Sequence, residues 1–222
     1  QTRLAAVKTT LAYHRSLHFR KVTREEAGRD FEKVAQNRSL PPPPNRPGGD
    51  NPYDRFTNLP TRNLQDYLFR RIVGLVKEHR LPMQIHTGKQ IGNNVVENSN
   101  PMHLTNIFFD FPDVEFDLFH SSWPYLREAI AQAKTFANVH LDMTWMHILS
   151  PAAARQALRE YLDTLPSTRI MGFGGDVQLA EQSYGHAVMA RDNVIRVLEG
   201  MVAEGDIHEP QAIAIGHRIL CG

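Results

Sequence analysis

The sequence predicts an α/β fold of the (β/α)-barrel type. Short apolar segments alternate along the chain with longer amphipathic ones, and five predicted strands are each followed by a helical pattern. The length agrees, because 222 residues fit one barrel domain, although eight complete βα units usually need about 250. We therefore expect a single domain over residues 1–222, built on a parallel sheet with right-handed crossovers.

The first elements are predicted from an apolar run and a helix-start pattern. Residues 4–11 are typical of a buried strand. Thr23 and Glu26 have the spacing of a capping box, which starts a helix that runs to about residue 37. Proline and glycine then dominate residues 40–60, as in an interdomain linker or a loop. Because the same βα rhythm continues on both sides, we interpret this segment as an inserted surface loop.

The remaining elements follow the same periodicities. We predict strands over residues 83–86, 114–120, 138–142 and 168–173, and helices over 61–79, 124–134, 150–162, 184–202 and 209–220. Pro124 is suited to the first turn of its helix, and Ser150 with Pro151 forms a favourable helix start. One pattern differs: Glu115 and Asp117 alternate with apolar residues, which indicates a half-exposed strand. These two acids could face covering helices or be paired there.

Composition excludes several classes of function. The 25 basic and 24 acidic residues give a net charge of +1, so no broad field favours nucleic acid or a membrane surface. No apolar run approaches the roughly 18 residues that a membrane-spanning helix needs. The single cysteine cannot form an internal disulfide and fits a reducing compartment, so we expect a cytoplasmic protein.

Three predicted strands end in a residue that can bind a metal. His86 and His120 each end a strand, and Asp176 follows the last one. The carboxyl ends of parallel strands meet at one edge of the sheet, where active sites of such folds lie. Imidazole and carboxylate groups are ligands for zinc, manganese or iron. We therefore predict a divalent-metal site made by these three side chains, although a buried histidine can also be purely structural.

Four segments carry a resemblance to a known family. They are Gln84–Gly88 (QIHTG), Phe119–Tyr125 (FHSSWPY), Asn138–Asp142 (NVHLD) and Gly172–Asp176 (GFGGD). In this order they resemble blocks of the amidohydrolase superfamily, in the branch that holds uronate isomerase and aminocarboxymuconate-semialdehyde decarboxylase. The segment at residues 8–15 (KTTLAYHR) resembles the fourth-strand block of some members.

The resemblance implies roles for individual residues. His86 would be the fifth-strand metal ligand, and Asp176 the eighth-strand ligand that also handles a proton of the reacting water. His120 would be either a second metal ligand or a general acid/base. Lys8 would be a carboxylated bridging lysine, or alternatively a barrel lysine paired with a carboxylate. Zinc is the expected metal, with manganese or iron as alternatives.

Aromatic and basic residues near the predicted site are candidates for substrate binding. Arg15 and Tyr13 could bind a substrate carboxylate, since a guanidinium fork matches that geometry, although an ion pair would explain Arg15 equally well. Trp123 and Trp145 follow the sixth and seventh strands of the resemblance and either line the pocket or pack beside it. These residues predict a small-molecule substrate that carries a carboxylate.

The chain departs from the family at its first strand. It has no His-x-His pair, which family members carry there, and its first strand resembles the family's fourth. We therefore expect an incomplete barrel of strands four to eight, whose open sheet edges favour a homo-oligomer. Three hypotheses for its function remain: a metal-dependent hydrolase acting on a C–N or C–O bond, a decarboxylase or uronate-isomerase-like enzyme, and an inactive fragment or non-catalytic scaffold.

Overall fold

A computed structural model describes residues 4–36, 61–91 and 95–221. The strands are β1 (Val7–Thr9), β2 (Met83–Ile85), β3 (Phe116–Leu118), β4 (Val139–Asp142) and β5 (Ile170–Met171). The helices are α1 (Arg24–Gln36), α2 (Arg62–Glu78), α3 (Thr105–Asp110), α4 (Leu126–Thr135), α5 (Met146–Leu149), α6 (Pro151–Thr164), α7 (Ala180–Glu204) and α8 (Glu209–Cys221). Tight 3₁₀ turns cover Leu11–Tyr13, Val96–Ser99, Pro101–Leu104, Phe119–Ser122 and Ser167–Arg169.

The five strands form one parallel sheet in the order of the sequence, β1-β2-β3-β4-β5. Each strand lies beside the next because a crossover returns the chain to the same end of the sheet, as in a barrel. The described strands leave the outer sides of β1 and β5 without a partner strand. This arrangement confirms the predicted α/β fold and agrees with part of a barrel. The predicted loop at residues 40–60 lies outside the described residues.

The two faces of the sheet have opposite chemistry. Alternate strand residues lie on opposite faces, and one set is buried in the hydrophobic core. This set includes Met83, Ile85, Phe116, Leu118, Val139 and Leu141. The residues between them are polar. Lys8 of β1 is in register with Gln84 of β2, and Gln84 is in register with Asp117 of β3. The polar face is therefore the one on which a site can form.

The alternation of acidic and apolar residues in β3 is explained by the apolar and polar faces of the sheet. Phe116 packs against Phe108 of α3, with ring centroids 5.1 Å apart. Asp117 lies on the polar face, where Gln84 Nε2 donates to its Oδ2 at 3.1 Å, and it is buried. Glu115 is exposed and pairs with His140 at 2.7 Å. The two acids thus face away from the covering helices.

Local signals set several helix ends. Thr23 N donates to the Glu26 carboxylate at 2.8 Å, and Glu26 N donates to Thr23 Oγ1 at 3.2 Å, which confirms the capping box. The Ser150 side chain accepts a hydrogen bond from Ala153 N at the start of α6, as predicted. The prediction for Pro124 was wrong, because α4 begins at Leu126. Among the described residues, no helix has both the length and the apolar character that crossing a bilayer requires.

Candidate active site

The two strand-end histidines meet at the carboxyl edge of the sheet. His86 directly follows β2, and its backbone N–H extends the ladder to Thr9 O at 3.0 Å. His120 lies in the turn that follows β3. His120 Nε2 is 3.1 Å from His86 Nδ1, and the ring centroids are 4.6 Å apart. Both side chains are buried.

The hydrogen bonds determine which nitrogen of each ring carries the proton. Thr144 O lies 2.9 Å from His120 Nδ1 and can only accept, so Nδ1 is the donor. In the neutral ring Nε2 then has the lone pair, and His86 Nδ1 must donate to it. His86 Nε2 is left with a lone pair, and this buried atom has no hydrogen-bond partner. It is therefore free to bind an electrophile or a cation.

Both rings are held in the neutral form. Burial, together with the nearby His120 and Lys8, lowers the pKa of His86 to about 3, against smaller opposing effects of the Lys89 backbone and Asp176. Burial also lowers the pKa of His120, against opposing effects of the Thr144 backbone and Asp176. A neutral imidazole is the form that binds a metal or accepts a proton.

The turn that carries His120 has an unusual backbone. His120, Ser121 and Ser122 have φ angles of 65°, 52° and 52°, a left-handed conformation that costs energy for residues with a side chain. The turn is held by the end of β2, where the Thr87 hydroxyl donates to Phe119 O and contacts Ser122 Oγ, both at 2.8 Å. Strain held by neighbouring structure is typical of functional sites.

Gly88 allows the close approach of these two segments. Its φ is +72°, and a Cβ at this position would overlap the backbone carbons and oxygens of Ser122 and Trp123. Gly88 N also donates to Ser99 O at 3.0 Å. Only glycine satisfies both the angle and the space, so the ends of β2 and β3 are fixed backbone to backbone.

Asp176 reaches the same cluster from the segment that follows β5. Its Oδ2 is 3.7 Å from His120 Nε2, and its Oδ1 is 3.4 Å from Lys8 Nζ. The side chain is 44% exposed, whereas the two histidines are buried. Lys8 Nζ also lies 4.0 Å from the centre of the Phe119 ring. Lys8 thus lies between a carboxylate and an aromatic ring, which is the paired-lysine alternative considered for it.

The donor set agrees in kind with a divalent cation. Two imidazoles and a carboxylate are zinc ligands, and the unpartnered Nε2 of His86 needs an electrophile. In the arrangement described, however, no group of three or more His, Cys, Asp or Glu side chains within residues 4–36, 61–91 and 95–221 is arranged to hold a metal ion. His120 Nε2 is occupied by His86, so His120 would have to turn away from it to become a ligand.

Of the aromatic candidates, Tyr13 lies beside a site histidine. The Tyr13 ring is 4.6 Å from the His86 ring, centre to centre, and the Tyr13 hydroxyl accepts from Ile91 N at 3.4 Å. Trp123 is half-buried and packs against the core, and its backbone oxygen accepts from Lys89 N at 2.6 Å. Trp145, half-buried, has a left-handed backbone and donates from its backbone N–H to Gly174 O at 3.3 Å.

The structure gives Arg15 a different role from substrate binding. Its side chain is only 2% exposed and pairs with the buried Asp66 at 2.5 Å. The guanidinium also donates to Ser16 O, to His18 O and to the Gln65 amide oxygen, and it stacks on Phe19. Because hydrogen-bond acceptors of the protein surround its guanidinium group, we assign Arg15 to a buried ion pair that connects the loop after β1 to α2.

Sequence reasoning missed two buried acids on the polar face. Burial and the repulsion of Asp142 raise the pKa of Asp117 to about 8. Burial likewise raises the pKa of Asp142 to about 6, although Thr144 N donates to this carboxylate. The alternation around Asp117 was the available signal. It could not be interpreted, because a sequence does not distinguish a buried polar face from an exposed one.

Two buried histidines on helices were also missed as contributors to the site. His147 and His186 both contact backbone carbonyls of the segment that leads to Asp176. His147 Nε2 lies 2.8 Å from Gly172 O, and His186 Nδ1 lies 3.0 Å from Gly175 O. Helical periodicity carries no information about such contacts.

Comparison with known proteins places this geometry in context. The amidohydrolase family model matches residues 41–194. Protein fluG of Emericella nidulans is 34% identical over 165 residues, which cover 71% of this chain and 19% of that protein.

Two solved structures share the fold. A protein described as a metal-dependent hydrolase, from Lactobacillus casei, superposes with a TM-score of 0.73 at 23% identity, covering 96% of this chain and 52% of that one. Uronate isomerase from Thermotoga maritima gives a TM-score of 0.71 at 15% identity, with 93% and 46% coverage. The chain thus spans about half the length of these two proteins and about a fifth of protein fluG.

Proposed function

The chain belongs to the amidohydrolase family, and from this premise we propose that it carries part of the active site of a metal-dependent hydrolase that acts on a C–N or C–O bond. The single observation that carries the proposal is the buried, unpartnered Nε2 of His86, on a ring whose Nδ1 contacts His120, which in turn lies 3.7 Å from the Asp176 carboxylate. A buried nitrogen without a hydrogen bond is costly, and this cost is removed when the lone pair binds a cation.

In this proposal His86 and Asp176 hold the cation, which is zinc, with manganese or iron as alternatives. His120 is either a further ligand, once its ring has turned away from His86, or a general acid/base. When bound, the cation supplies Lewis-acid activation of a water and of the scissile bond. His86 is oriented for this role by its donated hydrogen bond to His120, and burial keeps it neutral. The missing His-x-His pair means that these three groups are part of a ligand set rather than all of it.

The residues of the chain also handle the proton. Asp176 is partly exposed at the edge of the cluster, so its free lone pairs can accept a proton from the reacting water. His120 is fixed at Nδ1 by Thr144 O and presents Nε2, which can take up a proton and return it to a leaving group because burial lowers its pKa. Tyr13 packs beside His86 and would exclude water from one side.

We further propose a small-molecule substrate that carries a carboxylate. Arg15 does not reach the site, so the cation on the polar face that could bind this group is the ammonium of Lys8, which is 30% exposed. In the described arrangement Lys8 is neutralised by Asp176. A substrate carboxylate would compete with Asp176 for Lys8 and free the Asp176 carboxylate for proton transfer.

The experiment combines zinc uptake with a substrate panel of lactones, amides, aromatic carboxylates and uronates. We expect the wild-type protein to bind zinc, but weakly because its ligand set is incomplete, and we expect still weaker binding in His86→Ala and turnover reduced about 100-fold or more in Asp176→Asn. His140→Asn is the matched control, because His140 is also a strand histidine but pairs with Glu115 outside the cluster.

The outcomes separate the hypotheses. Full metal-dependent turnover in Asp176→Asn would refute the mechanism. Turnover of uronates or loss of CO₂ from aromatic carboxylates would replace hydrolysis with isomerisation or decarboxylation. A wild-type protein that takes up no zinc, manganese or iron and turns over nothing in the panel would be a non-catalytic scaffold.

We also propose that the chain associates with a second copy in the cytoplasm. The outer sides of β1 and β5 have no partner strand among the described strands, and such edges favour pairing with another chain. The single cysteine suits a reducing compartment. Size-exclusion chromatography with light scattering tests the association, and a concentration-independent monomer would refute it.

A further inference from the structure

Two histidines from different helices hold the two ends of the segment that leads to Asp176. His147 of α5 contacts Gly172 O at 2.8 Å, and His186 of α7 contacts Gly175 O at 3.0 Å. Both side chains are buried, with 3% and 8% of their surface exposed. A carbonyl oxygen can only accept, so both imidazoles donate to the backbone of this segment.

A chain of hydrogen bonds fixes the proton of His147. Arg155 Nη1 donates to Asn193 Oδ1 at 2.8 Å, and because a guanidinium only donates, this bond sets the orientation of the Asn193 amide. Asn193 Nδ2 then faces His147 Nδ1 at 3.3 Å and donates to it. His147 must therefore carry its proton on Nε2, which is the atom that faces Gly172 O.

Regular secondary structure does little to fix the position of Asp176. Strand β5 has only two residues, and Asp176 lies five residues after it with a left-handed φ of 43°. Its own side-chain contacts are long, 3.4 Å to Lys8 and 3.7 Å to His120. The carboxylate must therefore be positioned by whatever holds the backbone between Gly172 and Gly175.

We propose that His147 and His186 are positioning residues that direct Asp176 toward His120 by holding the carbonyls of Gly172 and Gly175. Neither histidine touches the cluster itself. The proposal rests on the proposed function in that it assigns Asp176 a role as ligand and proton acceptor. It adds that α5 and α7 control the geometry of this ligand through the backbone.

Matched variants separate positioning from general stability. Asparagine places its amide nitrogen near the position of a histidine Nδ1, so His186→Asn keeps the donor to Gly175 O, whereas His186→Leu removes it. Glutamine places its amide nitrogen near the position of Nε2, so His147→Gln keeps the donor to Gly172 O, whereas His147→Leu removes it. Exposed His208, before α8, provides a His208→Leu control.

The first measurement is hydrogen exchange of the backbone amides of residues 173–177 in protein without added metal. We expect exchange to become at least about tenfold faster in both leucine variants and to stay within about threefold of wild type in His186→Asn, His147→Gln and His208→Leu. Exchange elsewhere in α5 and α7 serves as the internal reference. Unchanged exchange in the leucine variants, or the same rise in the amide-preserving variants, would overturn the proposal.

The second measurement is the affinity for zinc alone. We expect about 10- to 100-fold weaker binding in the leucine variants and recovery to near wild type in His186→Asn and His147→Gln. If the wild-type protein binds no zinc, the proposed function fails, and hydrogen exchange still decides whether the two histidines position the segment. Leucine variants with faster exchange but unchanged zinc affinity would show that the contacts do not control the ligand, and would overturn the proposal.

Discussion

The site has a histidine half, made of His86 and His120, and a carboxylate half, made of Asp176 and the segment before it. The two halves are built in different ways. His86 and His120 are held by backbone, because the ends of β2 and β3 touch at Gly88 and the left-handed turn closes over them. Asp176 lies beyond a two-residue strand, in a segment that two histidine side chains contact from two helices and that also bonds through its backbone to Trp145 and Ile219. The first half rests on a backbone contact that no side-chain rotation can release. The second depends on contacts that can be lost one at a time.

The largest effect is expected at the contact between the strand ends. Gly88→Ala combines an unfavourable positive φ with an overlap against backbone atoms of Ser122 and Trp123, which cannot rotate aside. We expect the free energy of unfolding to fall by about 3 kcal/mol or more. Urea denaturation followed by circular dichroism measures this. A loss below 1 kcal/mol would contradict the idea that backbone contact makes the histidine half rigid.

A smaller loss of stability is expected at Gly174, a glycine close to Asp176 in the carboxylate half. A Cβ in Gly174→Ala would overlap the Thr144 hydroxyl, a side-chain atom that can move. We expect a loss of about 1 to 3 kcal/mol in the free energy of unfolding. The same urea titration checks it, and a loss larger than that of Gly88→Ala would reverse the comparison.

The acids near the histidines should make stability depend on pH. The pKa of Asp117 is raised in the folded protein to about 8, from an ordinary value near 3.8, so its contribution to stability is full below about pH 4 and is lost as the pH rises through 8. Asp117→Asn removes this dependence. We expect the variant to gain about 1 to 2 kcal/mol in unfolding free energy relative to wild type between pH 5 and pH 8.

Thermal unfolding at several pH values measures this gain. Glu115→Gln is its control, because Glu115 is the exposed acid two residues earlier in the chain. A constant difference between Asp117→Asn and wild type across this range would show that Asp117 does not hold a proton in the folded protein.

The smallest effect, and one of opposite sign, is expected in helix α7. A Cβ at Gly185 would meet nothing within 4 Å, and alanine favours a helix over glycine. Gly185→Ala should therefore stabilise the protein by about 0.5 to 1 kcal/mol. If Gly185→Ala instead destabilises the protein, the structure requires a glycine at this position for a reason other than the space around it.

Periodicity made most of the fold predictable, and strand ends predicted which polar side chains gather at one edge of the sheet. His86, His120 and Asp176 were found because short apolar runs reveal where a parallel strand ends, and the structure brings these side chains together. The turns and the short helix between residues 96 and 110 were missed, since four to six residues are too few to show a helical period. The contacts of Arg15, His147 and His186 depend on which carbonyl or carboxylate folding brings near, and no local pattern encodes that.

The C-terminal helix has a consequence for how strands could be added to this sheet. Gly172 N, just beyond β5, donates to Ile219 O of α8 at 2.7 Å, and a Cβ on Gly172 would lie 2.8 Å from the same carbonyl. An incoming strand on that side would have to displace the last turn of α8 before it could form a ladder. The two open edges of the sheet are therefore not equivalent, because addition beside β5 requires the end of α8 to move.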